Sequence, residues 1–171
     1  MNNNEDKKIG WDEYFMELAR IASKRSSCRR RKVGAVAVVD KHVVATGYNG
    51  APSHLVDCME RHKCMRDIMK VPSGERQEIC RAVHAEQNLI CQAAIHGFSL
   101  KGAVVYSTCQ PCVTCAKLLI NVGVKSIIYD TPYPDEYALD LIRESGIQLL
   151  RYSELKDFIK PITAYMEDLN A

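Results

Sequence analysis

The sequence has no long hydrophobic run and no excess of charge of one sign. No stretch approaches the roughly 18 uninterrupted apolar residues that a membrane-spanning helix requires. The 23 lysines and arginines nearly balance the 21 aspartates and glutamates, which leaves a formal charge of +2. A chain so close to neutrality has no general attraction to nucleic acid or to anionic membranes. We therefore expect no nucleic-acid partner and no membrane partner.

The sequence also has no internal repeat and no low-complexity segment. Its polar first eight residues are not followed by an apolar segment, so no secretory signal is expected and a cytoplasmic location is predicted. At roughly 150 residues per domain, 171 residues predict a single domain over 1–171.

Cysteine, by contrast, is abundant. In the reducing cytoplasm, clustered cysteines indicate metal ligands rather than disulfides. The eight cysteines are Cys28, Cys58, Cys64, Cys80, Cys91, Cys109, Cys112 and Cys115. Cys91 is predicted to lie in the core, in the middle of an apolar helix, and Cys109 close to the metal site without being a ligand.

Strand and helix patterns alternate along the chain. An apolar stripe at helical spacing, which begins at Tyr14, predicts the first helix. Five short apolar runs predict strands at 33–39, 43–48, 103–106, 126–129 and 147–152. Further helices are predicted over 80–96, 111–122, 135–144 and 153–169, with Pro111 at a first helical position. Residues 49–79 have no period and predict a long loop. The alternation favours an α/β domain layered around one sheet.

Chemically reactive residues concentrate at two of the predicted helix starts. His84 and Glu86 open one helix, while Cys112 and Cys115 lie three residues apart at the start of the next. The free amides and positive dipole of a helix N-terminus favour thiolates. Two thiolates and one imidazole suit Zn²⁺ and leave a fourth tetrahedral position for water. We predict that His84, Cys112 and Cys115 bind a catalytic zinc and that Glu86 moves protons.

These residues form the pattern H-x-E…P-C-x-x-C, through which the chain resembles the zinc-dependent cytidine deaminase superfamily. The resemblance extends over about residues 11–130 and is closest to the deoxycytidylate (dCMP) deaminase branch. The segments that carry it lie at 33–35, 47–52, 84–88 and 106–112, together with the long cysteine-bearing loop.

The resemblance implies a fold and a reaction. The expected fold is a three-layer α-β-α sandwich around a mixed five-stranded sheet, with a zinc-binding core over about 11–130 and a C-terminal strand and helix over 147–171. The expected reaction is the hydrolysis of dCMP to dUMP and ammonia, which supplies dUMP for thymidylate synthesis.

The resemblance also implies that Asn49 hydrogen-bonds the sugar of the nucleotide, although a turn residue before Gly50 fits the spacing equally well. Most of the six basic residues within 24–32 are expected to be solvated. Arg31 is the one predicted to bind the phosphate, with Tyr133 as a hydroxyl donor. Ala85, beside the zinc histidine, completes the predicted substrate-binding set.

A second, structural zinc is implied for Cys28 and Cys58, which would tie the long loop to the first helix. Cys64 and Cys80 would complete a four-sulfur site, and His62 could replace either of them. Buried free thiols are the alternative.

Hexameric members of the family are activated by dCTP and inhibited by dTTP, with Mg²⁺ on the triphosphate. The resemblance therefore implies a homohexamer with these effectors. His54, however, follows Pro52-Ser53 where the family commonly has glycine, which leaves allosteric control open.

Three alternative functions remain open. The first is deamination of another cytosine nucleoside or nucleotide, or of a related heterocycle such as a pterin or riboflavin precursor. The second is a competence-type accessory protein on the same scaffold. The third is RNA editing, against which the lack of a broad basic surface counts.

Overall fold

A mixed five-stranded sheet forms the centre of the computed structural model, which describes residues 8–158. The strands are β1 (Gly34–Val39), β2 (His42–Tyr48), β3 (Val104–Cys109), β4 (Ser126–Thr131) and β5 (Gln148–Arg151). Their order is β2-β1-β3-β4-β5; β1 runs antiparallel to β2 and β3, and β3, β4 and β5 run parallel. The turn between β1 and β2 contains Asp40 and Lys41, both with positive φ (48° and 63°), as a tight hairpin requires.

Helices cover both faces of the sheet, because the alternating side chains of its central strands are buried on both sides. Within β1, Ala35 and Ala37 face one apolar cluster, while Val36 and Val38 face the other. The helices are α1 (Trp11–Ser23), α2 (Met65–Ile68), α3 (Ala85–His96), α4 (Val113–Asn121), α5 (Glu136–Ser145) and α6 (Tyr152–Phe158). Residues of α3, α4 and α5 line the first cluster, and residues of α1 and α6 line the second. The predicted three-layer α-β-α sandwich is confirmed.

Several predicted elements differ from the structure. Strand β3 extends to Cys109 instead of ending at residue 106, and β4 extends to Thr131 instead of ending at residue 129. The helix predicted to start at residue 80 is α3, and it begins at Ala85 instead. The reason is that Val83 pairs with Gly50 through two backbone hydrogen bonds of 2.8 and 3.1 Å. Helix α4 begins at Val113, with extended Cys112 as its N-cap, so Pro111 precedes the cap instead of occupying the first turn. The predicted loop 49–79 contains α2 and a 3₁₀ turn at Gln77–Ile79.

The C-terminal helix predicted over 153–169 begins at Tyr152 and is described as far as Phe158. Its predicted interruption at Pro161 and the rest of the predicted single domain at both ends lie outside the described residues. Across residues 8–158, none of the helices is both long enough and apolar enough to span a bilayer.

Candidate active site

A close contact between β2 and α3 positions the first half of the site. A Cβ atom on Gly47 would lie 2.1 Å from the carbonyl oxygen of Ala85, so only glycine lets the start of α3 approach the strand this closely. Asn88 Nδ2 donates to the Tyr48 carbonyl at 2.7 Å, which ties the same turn of the helix to the strand. The backbone N–H of His84 donates to Gln87 Oε1 at 2.8 Å and caps α3. His84 and Glu86 are thereby fixed at the helix end.

A single carboxylate positions the second half of the site. Asp135 Oδ2 accepts a hydrogen bond from the backbone N–H of Val113 at 2.8 Å, and its Oδ1 accepts from Ala138 N at 3.0 Å. Asp135 therefore caps α5 and also satisfies the first turn of α4, which carries Cys112 and Cys115. From the sequence, Asp135 was predicted only to start a helix. Its link to Val113 is non-local and has no sequence signal.

The three predicted zinc ligands converge. His84 Nδ1 lies 3.3 Å from Cys112 Sγ and 3.4 Å from Cys115 Sγ, and all three ligand atoms lie within 4.8 Å of one another. Metal–ligand bonds of about 2.0 Å for nitrogen and 2.3 Å for sulfur fit a triangle of this size. Among residues 8–158 this is the only group of three or more potential ligands at such spacing. One nitrogen and two sulfurs are a donor set that suits Zn²⁺ and leaves one tetrahedral position without a protein ligand.

The protonation of this cluster is strongly coupled. A hydrogen bond from Cys115, followed by one from His84, lowers the pKa of Cys112 to about 4. The hydrogen bonds with Cys112 and then with Cys80 raise the pKa of His84 to about 10, and the pKa of Cys115 is raised chiefly by its bond to Cys112. These shifts favour an imidazolium beside a thiolate in the metal-free protein, and the binding of a metal ion would displace the remaining protons.

Glu86 lies beside the ligand cluster and is only 4% exposed. The hydroxyl of Ser107 donates to Glu86 Oε1 at 3.1 Å. The Glu86 carboxyl group also hydrogen-bonds the Cys115 thiol. Burial raises the pKa of Glu86, which increases its affinity for a proton at neutral pH. A carboxylate with such an affinity is suited to take up a proton and return it. Ser107 lies in the segment 106–112 that carries the family resemblance, but the sequence predicts no role for it.

The ligand cluster opens onto a cleft that contains about 840 Å³ of empty space, including its mouth. Of the described residues that line the cleft, only Glu86 is a carboxylate, whereas four are arginines: Arg30, Arg31, Arg66 and Arg81. Ala85 and Tyr133 also line the cleft, and their contact with a substrate stays a prediction. The cleft is therefore positively charged and suits an anionic ligand.

Arg31 lies at the exposed rim of the cleft. Its guanidinium stacks over the Tyr133 ring at 5.3 Å, and its Nη1 donates to Cys109 Sγ at 3.0 Å. The Tyr133 hydroxyl accepts a hydrogen bond from Gln77 Nε2, which leaves its own proton to donate. Cys109 lies near the metal ligands without belonging to them, as predicted.

The side chain of Asn49 lines the cleft but also braces the chain before β1. Its Oδ1 accepts from Ser26 Oγ at 2.6 Å and from Val33 N at 2.8 Å, while its Nδ2 donates to the Arg31 carbonyl at 2.8 Å. One Nδ2 hydrogen is left for a ligand, so the predicted contact with a sugar stays a prediction.

The four cysteines predicted to bind the structural zinc all line the cleft: Cys28, Cys58, Cys64 and Cys80. The other three raise the pKa of Cys58, after the larger effect of its burial. Their sulfur atoms do not meet the 4.8 Å spacing of the His84 cluster, and the proposed substitute His62 is exposed and does not line the cleft. The four-sulfur site stays a prediction.

Two further residues differ from the sequence-based picture. Cys91 is exposed rather than in the core, because α3 buries Ala85, Leu89 and Ala93 on the opposite side. His54 has φ of 67°, so the backbone keeps the left-handed conformation that glycine favours although a side chain is present.

Comparison with known proteins gives the same assignment as the geometry. Residues 9–131 match the family model described as the cytidine and deoxycytidylate deaminase zinc-binding region. The deoxycytidylate deaminase of Schizosaccharomyces pombe is 37% identical over 143 residues, which cover 83% of this chain and 44% of that protein. ComE operon protein 2 of Bacillus subtilis is 35% identical over 82% of this chain and 70% of its own length. The chain thus spans less than half the length of the S. pombe relative.

The structure of dCMP deaminase from the cyanophage S-TIM5, in complex with dCMP and dUMP, has a similar fold. It aligns with a TM-score of 0.68 and 27% sequence identity over 85% of this chain and 98% of that one. The similarity therefore covers nearly all of a solved deaminase chain.

Proposed function

The chain belongs to the family of zinc-binding cytidine and deoxycytidylate deaminases, and we propose that it hydrolyses dCMP to dUMP and ammonia. The observation that carries this proposal is the convergence of His84, Cys112 and Cys115 on one point beside the buried carboxylate of Glu86. Zinc held there would act as a Lewis acid that lowers the pKa of water at the open fourth position.

The protein's own contribution to the reaction is the handling of protons. Glu86 accepts one proton from the attacking water and delivers it to N3 of the pyrimidine. It then accepts the second proton from the new hydroxyl on C4 and delivers it to the departing amine. The C4–O bond forms, the C4–N bond breaks, and ammonia leaves. The Ser107 hydroxyl holds one carboxylate oxygen of Glu86 during these transfers.

The charge of the cleft supports a nucleoside monophosphate as the substrate. Four arginines line it against the single carboxylate of Glu86, and among them only Arg30 has an ion pair, at 3.4 Å from Asp67. An uncharged nucleoside would leave these guanidinium groups without an anion, whereas a phosphate accepts their hydrogen bonds. Arg31 and Tyr133, which the sequence predicts to contact the phosphate, both line this cleft. Asn49, which also lines it, is the residue proposed for the sugar.

We also propose a structural zinc on Cys28, Cys58, Cys64 and Cys80. Two observations support this site: all four cysteines line the cleft, and Cys58 interacts electrostatically with the other three. Metal analysis of the purified protein tests it: two zinc atoms per chain are expected, and one atom per chain would refute the second site.

The family resemblance alone supports three further proposals. These are assembly as a homohexamer, activation by dCTP, and inhibition by dTTP with Mg²⁺ on the triphosphate. A cytoplasmic location is also proposed, because clustered cysteines that serve as metal ligands are typical of a reducing compartment. His54 has the left-handed backbone that glycine favours, so its side chain does not prevent this conformation. Sedimentation analysis and an assay of dCMP with and without dCTP test assembly and activation.

The deciding experiment compares turnover of dCMP, deoxycytidine and dCTP by the zinc-loaded protein. We expect dCMP to have a higher kcat/KM than deoxycytidine, because only a nucleotide supplies an anion for the arginines of the cleft, and a higher kcat/KM than dCTP, because the family resemblance is to dCMP deaminases. A higher kcat/KM for deoxycytidine or dCTP would replace the substrate assignment with that of another deaminase.

A competence-type accessory function is the second candidate, since ComE operon protein 2 is 35% identical over most of this chain. It predicts a protein that binds zinc and deaminates no cytosine nucleotide. Turnover of dCMP in the same assay would exclude that function as the sole one.

A further inference from the structure

A buried arginine in the long loop is not explained by the zinc site. Arg66 is only 7% exposed, although its neighbours Met65, Asp67 and Ile68 are all exposed. Among the described residues, its Nε is the one buried side-chain nitrogen or oxygen without a hydrogen-bond partner. Arg66 also lines the cleft that contains His84 and Glu86.

The existing contacts of Arg66 hold the guanidinium in place but do not neutralise it. Nη2 donates to the carbonyl oxygens of Pro72 at 2.7 Å and Glu75 at 2.6 Å, and Nη1 lies 3.4 Å from Gln77 Oε1. All three acceptors are uncharged. Arg66 takes part in none of the ion pairs found within residues 8–158. The carboxylate of Glu78 interacts electrostatically with Arg66 but is exposed and forms its ion pair with Arg76 instead. A buried cation without an anion in direct contact is costly, and a bound anion would offset that cost.

The loop around Arg66 is anchored beside the end of β4. Gln77 Nε2 donates to the Tyr133 hydroxyl, and a Cβ on Gly74 would lie 3.0 Å from the Pro134 carbonyl oxygen. Since Arg31 stacks on Tyr133, contacts run along one wall of the cleft from Arg66 through Gln77 and Tyr133 to Arg31. The exposed Arg31 thus contacts Tyr133 directly, whereas the buried Arg66 is linked to Tyr133 through Gln77.

We propose that Arg66 binds the 5′-phosphate of the nucleotide, with its unpaired Nε–H donating to a phosphate oxygen. The inference rests on the proposed function for the identity of the nucleotide. Arg31 at the rim contributes a second, more solvated charge, so the buried Arg66 provides most of the discrimination between nucleotide and nucleoside. The long loop is thereby a specificity element as well as a connection.

Binding of the product and of its nucleoside to the zinc-loaded protein tests this role. We expect Arg66→Met to weaken dUMP binding by about 10- to 100-fold, the loss expected for a hydrogen bond to a charged group, and to change deoxyuridine binding by less than about twofold. Calorimetry measures dUMP directly, and displacement of dUMP measures deoxyuridine. Arg61→Met is the matched control, because Arg61 lies exposed on the same loop outside the cleft and should leave both affinities unchanged.

Two results would overturn the proposal. Unchanged dUMP binding in Arg66→Met would show that the phosphate does not contact Arg66. Loss of dUMP and deoxyuridine binding by the same factor would show that Arg66 only supports the loop through Pro72 and Glu75. If Arg66→Met fails to fold, Arg66→Lys replaces it. The lysine keeps a charge but loses the planar donors, so we expect it to bind dUMP several-fold more weakly and deoxyuridine as the wild type does. An Arg66→Lys protein that binds dUMP as tightly as the wild type would refute the proposal.

The binding experiment is independent of turnover, so the two hypotheses can fail separately. A wild-type protein that binds dUMP through Arg66 but does not deaminate dCMP would refute only the proposed function. A wild-type protein that deaminates dCMP while Arg66→Met binds dUMP normally would refute only the role of Arg66.

Discussion

The Nδ1 atom of His84 lies 3.3 Å from the Sγ atom of Cys112, although the residues are 28 positions apart and cap two different helices. Each residue is extended at the N-terminus of its helix, with ψ of 161° and 169°. The site is thus built where two helices begin against one sheet, and its geometry depends on how firmly each helix start is held.

Glu86→Gln should keep the zinc and lose nearly all turnover of dCMP, by at least about 10²- to 10⁴-fold. Glutamine has the same shape and can still accept the hydrogen bond of Ser107, but it cannot take up a proton. Thermal stability should not fall, because burial already disfavours the charged carboxylate. Metal analysis, melting curves and an ultraviolet assay of dCMP check these expectations. Glu144→Gln is the control, because Glu144 is an exposed residue of α5. Substantial turnover by Glu86→Gln would contradict the mechanism.

Cys112→Ser should lose metal and activity together, since the hydroxyl of serine is a poor replacement for a thiolate ligand. Cys91→Ser is the matched control, because Cys91 is exposed on α3 and away from the ligand cluster. Zinc content and dCMP turnover are measured for both variants. A Cys112→Ser protein with full zinc content would remove Cys112 from the ligand set.

The candidate zinc ligands could be predicted because local spacing constrains them: Cys112 and Cys115 are i, i+3 and lie on one side of a helix, and His84 and Glu86 can share a site only at a helix start. The hairpin turn and the layering of helices around one sheet followed from local patterns, whereas the three-layer sandwich was implied by the family resemblance and the strand order was not predicted. Errors arose where distant residues compete with local pattern. The pairing of Val83 with Gly50, at the far end of the loop, displaced the start of α3 from residue 80.

The burial of Arg66 and the double cap at Asp135 could not be predicted for the same reason. Arg66 lies in a segment without periodicity, and its partners, Pro72, Glu75 and Gln77, are mostly backbone atoms that leave no residue-type signal. Cys91 was placed in the core from the apolar character of its helix alone. The helix buries the stripe of Ala85, Leu89 and Ala93, and Cys91 lies outside that stripe.

In the metal-free protein, alkylation of Cys112 should depend on pH differently from alkylation of Cys109. Both are buried, at 4% and 5% exposure, but hydrogen bonds from Cys115 and His84 lower the pKa of Cys112 to about 4, while burial raises the pKa of Cys109 above its usual 9.0. The thiolate is the reactive form. Between pH 8 and about 5.5, Cys112 therefore stays ionised and its rate stays flat, whereas the rate of Cys109 falls about tenfold per pH unit.

Peptide mass spectrometry after timed iodoacetamide treatment measures both rates in one sample. Added zinc should protect Cys112 and leave Cys109 unchanged, since of the two only Cys112 belongs to the candidate ligand cluster. A Cys112 rate that falls tenfold per unit over the same pH range would show that its pKa is not lowered.

Gly47→Ala should destabilise the fold and reduce activity together. The new methyl group would lie 2.1 Å from the Ala85 carbonyl oxygen and 2.6 Å from Leu89 N, both backbone atoms that can yield only if α3 moves. Overpacking of this kind costs about 1–3 kcal/mol or more. Moving α3 also moves His84 and Glu86, so kcat should fall in the molecules that still fold. Urea unfolding and dCMP turnover are compared with Gly10→Ala, whose Cβ would meet nothing within 4 Å. A stable, fully active Gly47→Ala would mean that the strand tolerates a wider separation from α3.

Asp135→Asn should weaken zinc binding even though Asp135 is not a ligand. Asparagine can still accept from Ala138 N through its Oδ1 and cap α5, but the amide NH₂ that replaces Oδ2 cannot accept from Val113 N. The first turn of α4 then loses a partner directly beside Cys112, and zinc affinity should fall by about 10- to 100-fold, as it does when the groups that orient metal ligands are removed. Competition with a chelator measures the affinity, and Asp140→Asn, an exposed aspartate of the same helix, is the control. Equal loss of affinity in both variants would indicate a general charge effect, whereas a loss confined to Asp135→Asn would show that the geometry of the metal site depends on a hydrogen bond from the neighbouring helix.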